Sequence, residues 1–476
     1  MDYFDIGRQC NRFSFESKIS MLNRYSSKLI NFSKNIVNID INLPLPWELE
    51  TLLTFFINSK EYPVNNLKDI DDNKFINMIN SIKDYIPSKI IDNQGEELLS
   101  KILISSSQQF EAQEFAKYIF YRYNYFFSFS NEFINMNDLF VEKFEIPYSK
   151  FLEFAIIIDI LYQVNLKEPK YFRYVFEKYQ DVINYLLISR EDYITKINLY
   201  TDNIEMYSIG IKPCNSYPFI KDKDKIYLPL PHCIIPAITH SLFLRLTDGN
   251  NGLKTLFGKK VYESYLFNIL NEGNIFDETL EENKYGKDNN KTSDVMCRKE
   301  DKYVFFEAKS MVPYFDTRCL NQKNINNEIE KITSAIKQVY NQINLFAKGK
   351  YYFFKEKFNV EKDNCYGIVV LLKESYISRK RIYDEYAIKE NICIDSEEYK
   401  WLINHIKVVS IYDVERYAFT SSSIIDCLIK QIANGEPFNH CLLSPEKTKI
   451  TNVNLLKFIN ENTKTLKSFR EKLDSI

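Results

Sequence analysis

The chain has 476 residues, of which 45% are apolar, 15% aromatic and 26% charged. That length exceeds one ordinary domain, and the composition excludes a largely disordered chain. A formal net charge of −2 excludes a protein that coats nucleic acid through bulk basicity, though not one that touches phosphates through a local patch.

The opening Met1-Asp2-Tyr3-Phe4-Asp5 has neither a basic nor an apolar leader segment, so no signal peptide is expected. Nine scattered cysteines, none two residues from another, argue against a zinc finger or a disulfide framework and fit a reducing cytoplasm. Residues 1–240 are expected to form a mainly helical N-terminal domain. Apolar residues recur at helical spacing over Ala112 to Phe127 and Tyr171 to Leu187. The apolar run Phe151 to Val164 is broken by Glu153 and Asp159 and is too short to span a bilayer, so it predicts a buried helix and no membrane partner. Tyr217 to Ile220 and Ile226 to Leu228, flanking Lys221-Asp222-Lys223-Asp224, predict a hairpin, and Ile235 to Leu246 a helix. Asp248-Gly249-Asn250-Asn251-Gly252 has linker composition and marks the main boundary, placed between Tyr200 and Gly252.

Beyond it the pattern becomes helix (Tyr262 to Leu270), two short strands (Ser293 to Arg298, Tyr303 to Glu307), a long helix (Glu328 to Phe346) and two further strands (Tyr366 to Leu372, Val408 to Tyr412). Helices on a small mixed sheet make an α/β domain, expected over residues 241–420, with a helical C-terminal segment over 421–476 that includes Leu455 to Leu473.

Glu-x-Lys is a weak signal, since it recurs at Glu16/Lys18, Glu168/Lys170, Glu282/Lys284, Glu300/Lys302 and Glu398/Lys400. Only Glu307-Ala308-Lys309 ends a strongly apolar strand, Tyr303-Val304-Phe305-Phe306. Side chains two apart on a strand share a face, so Glu307 and Lys309 point the same way. With Glu300-Asp301 at the tip of a two-residue hairpin, Asp294 lies opposite Glu307 and Arg298 opposite Tyr303. Cβ atoms of such pairs sit roughly 4.5–5.5 Å apart, close enough for two carboxylates to repel unless a cation lies between them. Mg²⁺ suits hard carboxylate oxygens of this kind, and Lys309 on the same face could act on a water or on charge at phosphorus.

Asp294, twelve intervening residues and then Glu307-Ala308-Lys309 together resemble the PD-(D/E)xK superfamily of restriction-endonuclease-like nucleases. The resemblance covers roughly Leu253 to Tyr412. It implies a mixed sheet flanked by helices, Mg²⁺ or Mn²⁺ as cofactor, and metal-dependent cleavage of phosphodiesters. It further implies a metal site of Asp294, Glu307 and, from the preceding helix, Glu263, with Lys309 and Gln338 joining Asp294 and Glu307 in catalysis, Gln338 and Gln342 being the candidates for a polar residue that the following helix turns to the site. Ser293 stands where many members have proline, and Gln342 stands where a tyrosine often follows Gln338.

Other motifs carry less. His232, His240, His405 and His440 lack metal-type spacing; neither a phosphate-binding glycine loop nor a Gly-x-Ser-x-Gly elbow occurs. Lys348 to Lys355 interleaves bases with aromatics but predicts a partly buried strand, and Arg379-Lys380-Arg381 a solvated loop. The expectation is a cytoplasmic DNA endonuclease of restriction or anti-phage defence, DNA standing ahead of RNA. Its first half would select substrate, bind a protein partner or a second copy, or control the site. A recombination or repair nuclease and a non-catalytic binding module on a nuclease fold are the rivals.

Overall fold

The structure is a computed structural model. It describes residues 2–29, 44–63, 67–86, 90, 96–105, 114–163, 169–200, 204–209, 212–313, 317, 319–356 and 358–474. The chain divides into two compact units, one of residues 1–94, 105–248 and 460–476, the other of 95–104 and 249–459. No helix among the described residues is long and apolar enough to cross a membrane.

The first unit is mainly helical. Its helices start where the sequence satisfies their free N–H groups: the Glu48 carboxylate accepts from Leu45 N ahead of Pro46–Asn58, and Asp71 accepts from Lys74 N at the head of Asp72–Lys83. Leu22, Leu52, Leu53, Phe56, Phe75 and Met78 are buried in one core. Of the helix expected over 112–127, residues 112 and 113 lie outside the described residues, and the helix Ala116–Ser128 begins after Glu114 and Phe115. The buried helix expected over 151–164 is Tyr148–Gln163, Val164 lying outside the described residues.

The segment expected as one helix over 171–187 is instead two, Pro169–Lys178 and Gln180–Tyr185. Tyr179 breaks it by leaving helical geometry (φ −115°, ψ 30°), and its ring is fully buried. Strand β1 (Leu187–Ser189) follows and pairs in parallel with β2 (Phe219–Asp222), which forms the expected hairpin with β3 (Lys225–Tyr227). Lys223, at its tip, takes the left-handed conformation such tight turns require (φ 54°).

The second unit is α/β, built on a five-stranded mixed sheet. Its strands are β4 (Glu278–Glu281), β7 (Val295–Lys299), β8 (Lys302–Lys309), β9 (Cys365–Leu371) and β10 (Ile406–Ser410), in the order β10-β9-β8-β7-β4. A small hairpin of β5 (Lys284–Tyr285) and β6 (Asn290–Lys291) stands apart from that sheet. Strands β8, β9 and β10 run parallel, whereas β7 and β4 are antiparallel to their neighbours. Every residue of β9 and the six inner residues of β8 are buried, as strands covered on both faces must be.

The long helix Gln322–Ala347 covers the face of Tyr303, Phe305 and Val369 through Ile336, Val339 and Ile343. Gly367 permits that approach, because a Cβ there would lie 2.2 Å from Val339 Cγ1. Glu263–Glu272 and Ile411–Ala418 pack on the other face, where Tyr262 Oη donates to Val370 O and Phe276 meets Phe306 edge-on.

Three local expectations need correction. Lys348 to Lys355 forms no strand. Gly349 turns the chain at positive φ (67°), so Tyr351 and Phe354 fold back against Phe346. Arg379 belongs to no solvated loop. It opens the helix Arg379–Lys389, is 1% exposed, and gives its guanidinium to Glu374 and to Val408 O. The last strand stops at Ser410 rather than Tyr412, because Ser410 and Asp413 cap each other's backbone at the start of the Ile411–Ala418 helix. Residues 421–459, including the helix Ile424–Ala433, belong to the same compact unit as the sheet.

Candidate metal and phosphodiester site

The β7–β8 hairpin sets the site. Its pairs run from Lys299 with Lys302 to Val295 with Phe306, and Arg298 stands opposite Tyr303. Glu300 at the tip has a positive φ of 53°. Asp294 comes one residue before the first ladder pair, outside the strand. Its Oδ2 accepts from Ala308 N at 2.8 Å, so the side chain holds the end of β8 where a further backbone bond would otherwise be made.

Glu307 and Lys309 share the face that the long helix covers. Glu307 is 6% exposed. Lys309 Nζ donates to Glu307 Oε1 at 2.7 Å and to Gln338 Oε1 at 2.8 Å, Gln338 being the residue beside the Val339–Gly367 contact. Gln342, one turn on, donates to Lys291 O at 2.8 Å, while its Oε1 is buried without a hydrogen-bond partner. Glu263 reaches the same place from the first turn of its helix.

These side chains line one cavity of about 460 Å³ within the second unit. Lys259, Lys260, Glu282, Lys291, Thr292 and Asn341 complete its wall. None of these stands out in the sequence. For Lys259 and Lys260 a signal existed, since four and three residues before Glu263 is helical same-face spacing. Glu282 stands in one of the recurring Glu-x-Lys pairs. Its partner proves to be Lys291, at 2.8 and 3.0 Å, rather than Lys284.

The electrostatics are those of carboxylates crowded away from water. Burial, then the neighbouring Glu307, pushes Asp294 up to about 7, against the opposing pull of the Ala308 N–H and of Lys309. Burial, then Asp294, Glu282 and Glu307, pushes Glu263 up to about 8. Glu307 is also raised by burial, with Lys309 opposing. Strongly perturbed acids gathered in one cavity are a feature of functional sites, because a folded core gains nothing from them.

Protein-family models, curated proteins and solved structures offer no match to this chain. Its chemistry rests on these residues.

The donor set is made of hard carboxylate oxygens, which suit Mg²⁺ or Mn²⁺ and not a soft metal. Asp294, Glu307 and Glu263 are the residues that could hold such an ion, and cancelling their mutual repulsion is what a divalent cation does. They line one cavity, but their oxygens do not all come within 4.8 Å of one another. Among the described residues, the three metal-ligating side chains that approach within 4.8 Å of one another are Glu50, His232 and Cys233, in the other unit.

Proposed function

We propose that residues 249–459 form a divalent-metal-dependent nuclease that hydrolyses phosphodiester bonds, with DNA as substrate ahead of RNA. The observation that carries this reading is the convergence of Asp294, Glu307 and Glu263 on a cavity that also holds Lys309. Three acids hindered from ionising together, with one ammonium among them, form a cation site next to a group suited to an anionic substrate. The sequence resemblance to PD-(D/E)xK nucleases points the same way.

Asp294 and Glu307 would hold Mg²⁺ or Mn²⁺, with Glu263 as a further ligand. Bound there, the ion would supply positive charge to phosphate oxygens and lower the pKa of water. The chain's own residues do the rest. Lys309, tied to Glu307 and Gln338, presents an ammonium at the rim, where it can orient a water and offset charge developing on phosphorus. Gln338 keeps that ammonium in place by accepting from it. Lys259 and Lys260 supply positive charge along the wall for a polyanionic strand, Lys291 being paired with Glu282.

The setting we propose, by analogy with the superfamily the motif resembles, is restriction or anti-phage defence, a recombination or repair nuclease being the rival. In this reading the helical unit selects substrate or binds a protein partner or second copy.

The test is incubation of the full chain with supercoiled plasmid, single-stranded DNA and RNA, with Mg²⁺ or with EDTA. Cleavage that requires the metal supports the reading. Binding of nucleic acid without cleavage of any of the three would instead favour a non-catalytic module.

A further inference from the structure

A second constellation lies in the helical unit, independent of the acidic cavity. Glu50 projects from the helix Pro46–Asn58 and is 5% exposed. His232 and Cys233 end the short turn Pro231–Cys233, and Cys214 sits in a similar turn, Pro213–Asn215. In both turns a proline at the first position fixes φ. Cys233 and Cys214 are fully buried free cysteines.

One ligand atom each from Glu50, His232 and Cys233 lies within 4.8 Å of the other two. The imidazole is oriented at both nitrogens. Nδ1 meets Ser26 Oγ at 2.8 Å and Nε2 meets Glu50 Oε1 at 3.3 Å. Asn215 Nδ2 donates to Glu50 Oε2 at 3.1 Å, so the second carboxylate oxygen is anchored. Cys214 neighbours the Cys233 thiol.

We propose that Glu50, His232 and Cys233 hold a buried zinc ion that fixes the core of the helical unit, with Cys214 moving in as the fourth donor. The chemistry selects the metal. Imidazole nitrogen, thiolate sulfur and one carboxylate oxygen are a zinc donor set, whereas Mg²⁺ takes oxygen alone. Zinc–ligand bonds of roughly 2.0–2.3 Å place tetrahedral donors roughly 3.3–3.8 Å apart, so the Glu50, His232 and Cys233 atoms, already within 4.8 Å, need only a small contraction, and Cys214, outside that group, must come further in. Ser26 on Nδ1 and Asn215 on Glu50 are the outer hydrogen bonds that orient ligands in such sites. A catalytic thiol is a poorer reading, because the imidazole nitrogens meet Ser26 and Glu50. Binding would replace two thiol protons with the metal and release them to solvent.

The site's ligands are spread over residues 50 to 233, so no short Cys/His spacing in the sequence marks them.

Metal analysis of the full chain, purified without chelators and dialysed against a weak chelator that strips Mg²⁺, tests this. Stoichiometric zinc should remain, and it should fall to trace amounts in Cys233→Ser and in Glu50→Gln. Asp294→Asn should keep its zinc, so failure here and failure of the nuclease reading are separable. Should the ligand variants fail to fold, Co²⁺ exchanged into the wild type decides. A thiolate-to-cobalt charge-transfer band with intense visible d–d bands supports the site, and Cys214→Ser should weaken the charge-transfer band. Wild type without zinc, a cobalt form lacking that band, or a Cys214–Cys233 disulfide in the native protein would overturn it.

Discussion

Lys309 Nζ lies 2.7 Å from Glu307 Oε1, two residues back on the same strand and the same face. The pair is built by strand geometry alone, and Gln338 fixes its far side at 2.8 Å. Lys309→Ala should therefore keep metal binding but lose rate by roughly 10²–10⁴-fold, the range for a positioned proton-transfer group. Single-turnover cleavage beside a Mn²⁺ titration separates the two effects. Gln338→Ala should lose less, because the ammonium keeps its Glu307 partner.

The raised carboxylates make metal-free stability depend on pH. Asp294 and Glu263 sit at about 7 and about 8 when folded, above their unfolded values. Below the unfolded pKa both states are protonated and no penalty arises. As pH rises from about 4, the unfolded chain ionises first, so stability falls until about pH 8 and is flat beyond. Asp294→Asn keeps an acceptor for Ala308 N and removes the charge, so it should raise stability at pH 8 by roughly 1–3 kcal/mol. Urea unfolding in EDTA across pH 4–9 shows it; a wild-type curve that rises toward pH 8 would contradict the assignment. Mg²⁺ affinity should climb over the same window, because protons compete for the same oxygens.

Gly367→Ala should cost roughly 1–3 kcal/mol, the usual penalty of overpacking, because its Cβ would meet Val339 Cγ1 at 2.2 Å. Helix Gln322–Ala347 must then shift, and Gln338 with it. Val339→Ala on that background should recover part of the melting temperature, as touching residues couple. Equal losses in the single and double mutants would show that the contact is not limiting.

Arg379 and Glu374 form a pair in which both side chains are almost wholly buried. Removing one partner leaves an uncompensated charge, so Arg379→Met should destabilise by roughly 3–5 kcal/mol. Lys400→Ala, which breaks an exposed pair with Glu397, should leave stability nearly unchanged. Thermal unfolding of the two variants side by side measures the contrast.

What the sequence made legible is what periodicity encodes. The two-residue tip at Glu300-Asp301 is enough to pair Arg298 with Tyr303 and to place Glu307 and Lys309 on one face. The helix stripe from Ile329 to Phe346 marks the buried side of the long helix. Edge strand β4 was not legible, because its residues are half-buried or exposed and its apolar content is a single leucine. Nor was Arg379, whose burial depends on Glu374 and on Val408 O from another strand. Asp294 stops one residue short of the ladder, since its side chain takes the Ala308 N–H, a choice no alternation pattern records. Glu282 and Lys291 enter the cavity through the β5–β6 region, where short exposed strands carry little hydrophobic signal.

The central claim is that Glu307 holds the divalent ion on which phosphodiester cleavage depends. The most direct measurement is the time course of plasmid cleavage by wild type and Glu307→Ala, each with Mg²⁺, Mn²⁺ and Ca²⁺. Ca²⁺, with its looser coordination, should support substrate binding and cleave poorly. The account predicts metal-dependent cleavage by the wild type with Mg²⁺ and Mn²⁺, and none by a Glu307→Ala protein that remains folded. Undiminished cleavage by Glu307→Ala would contradict it.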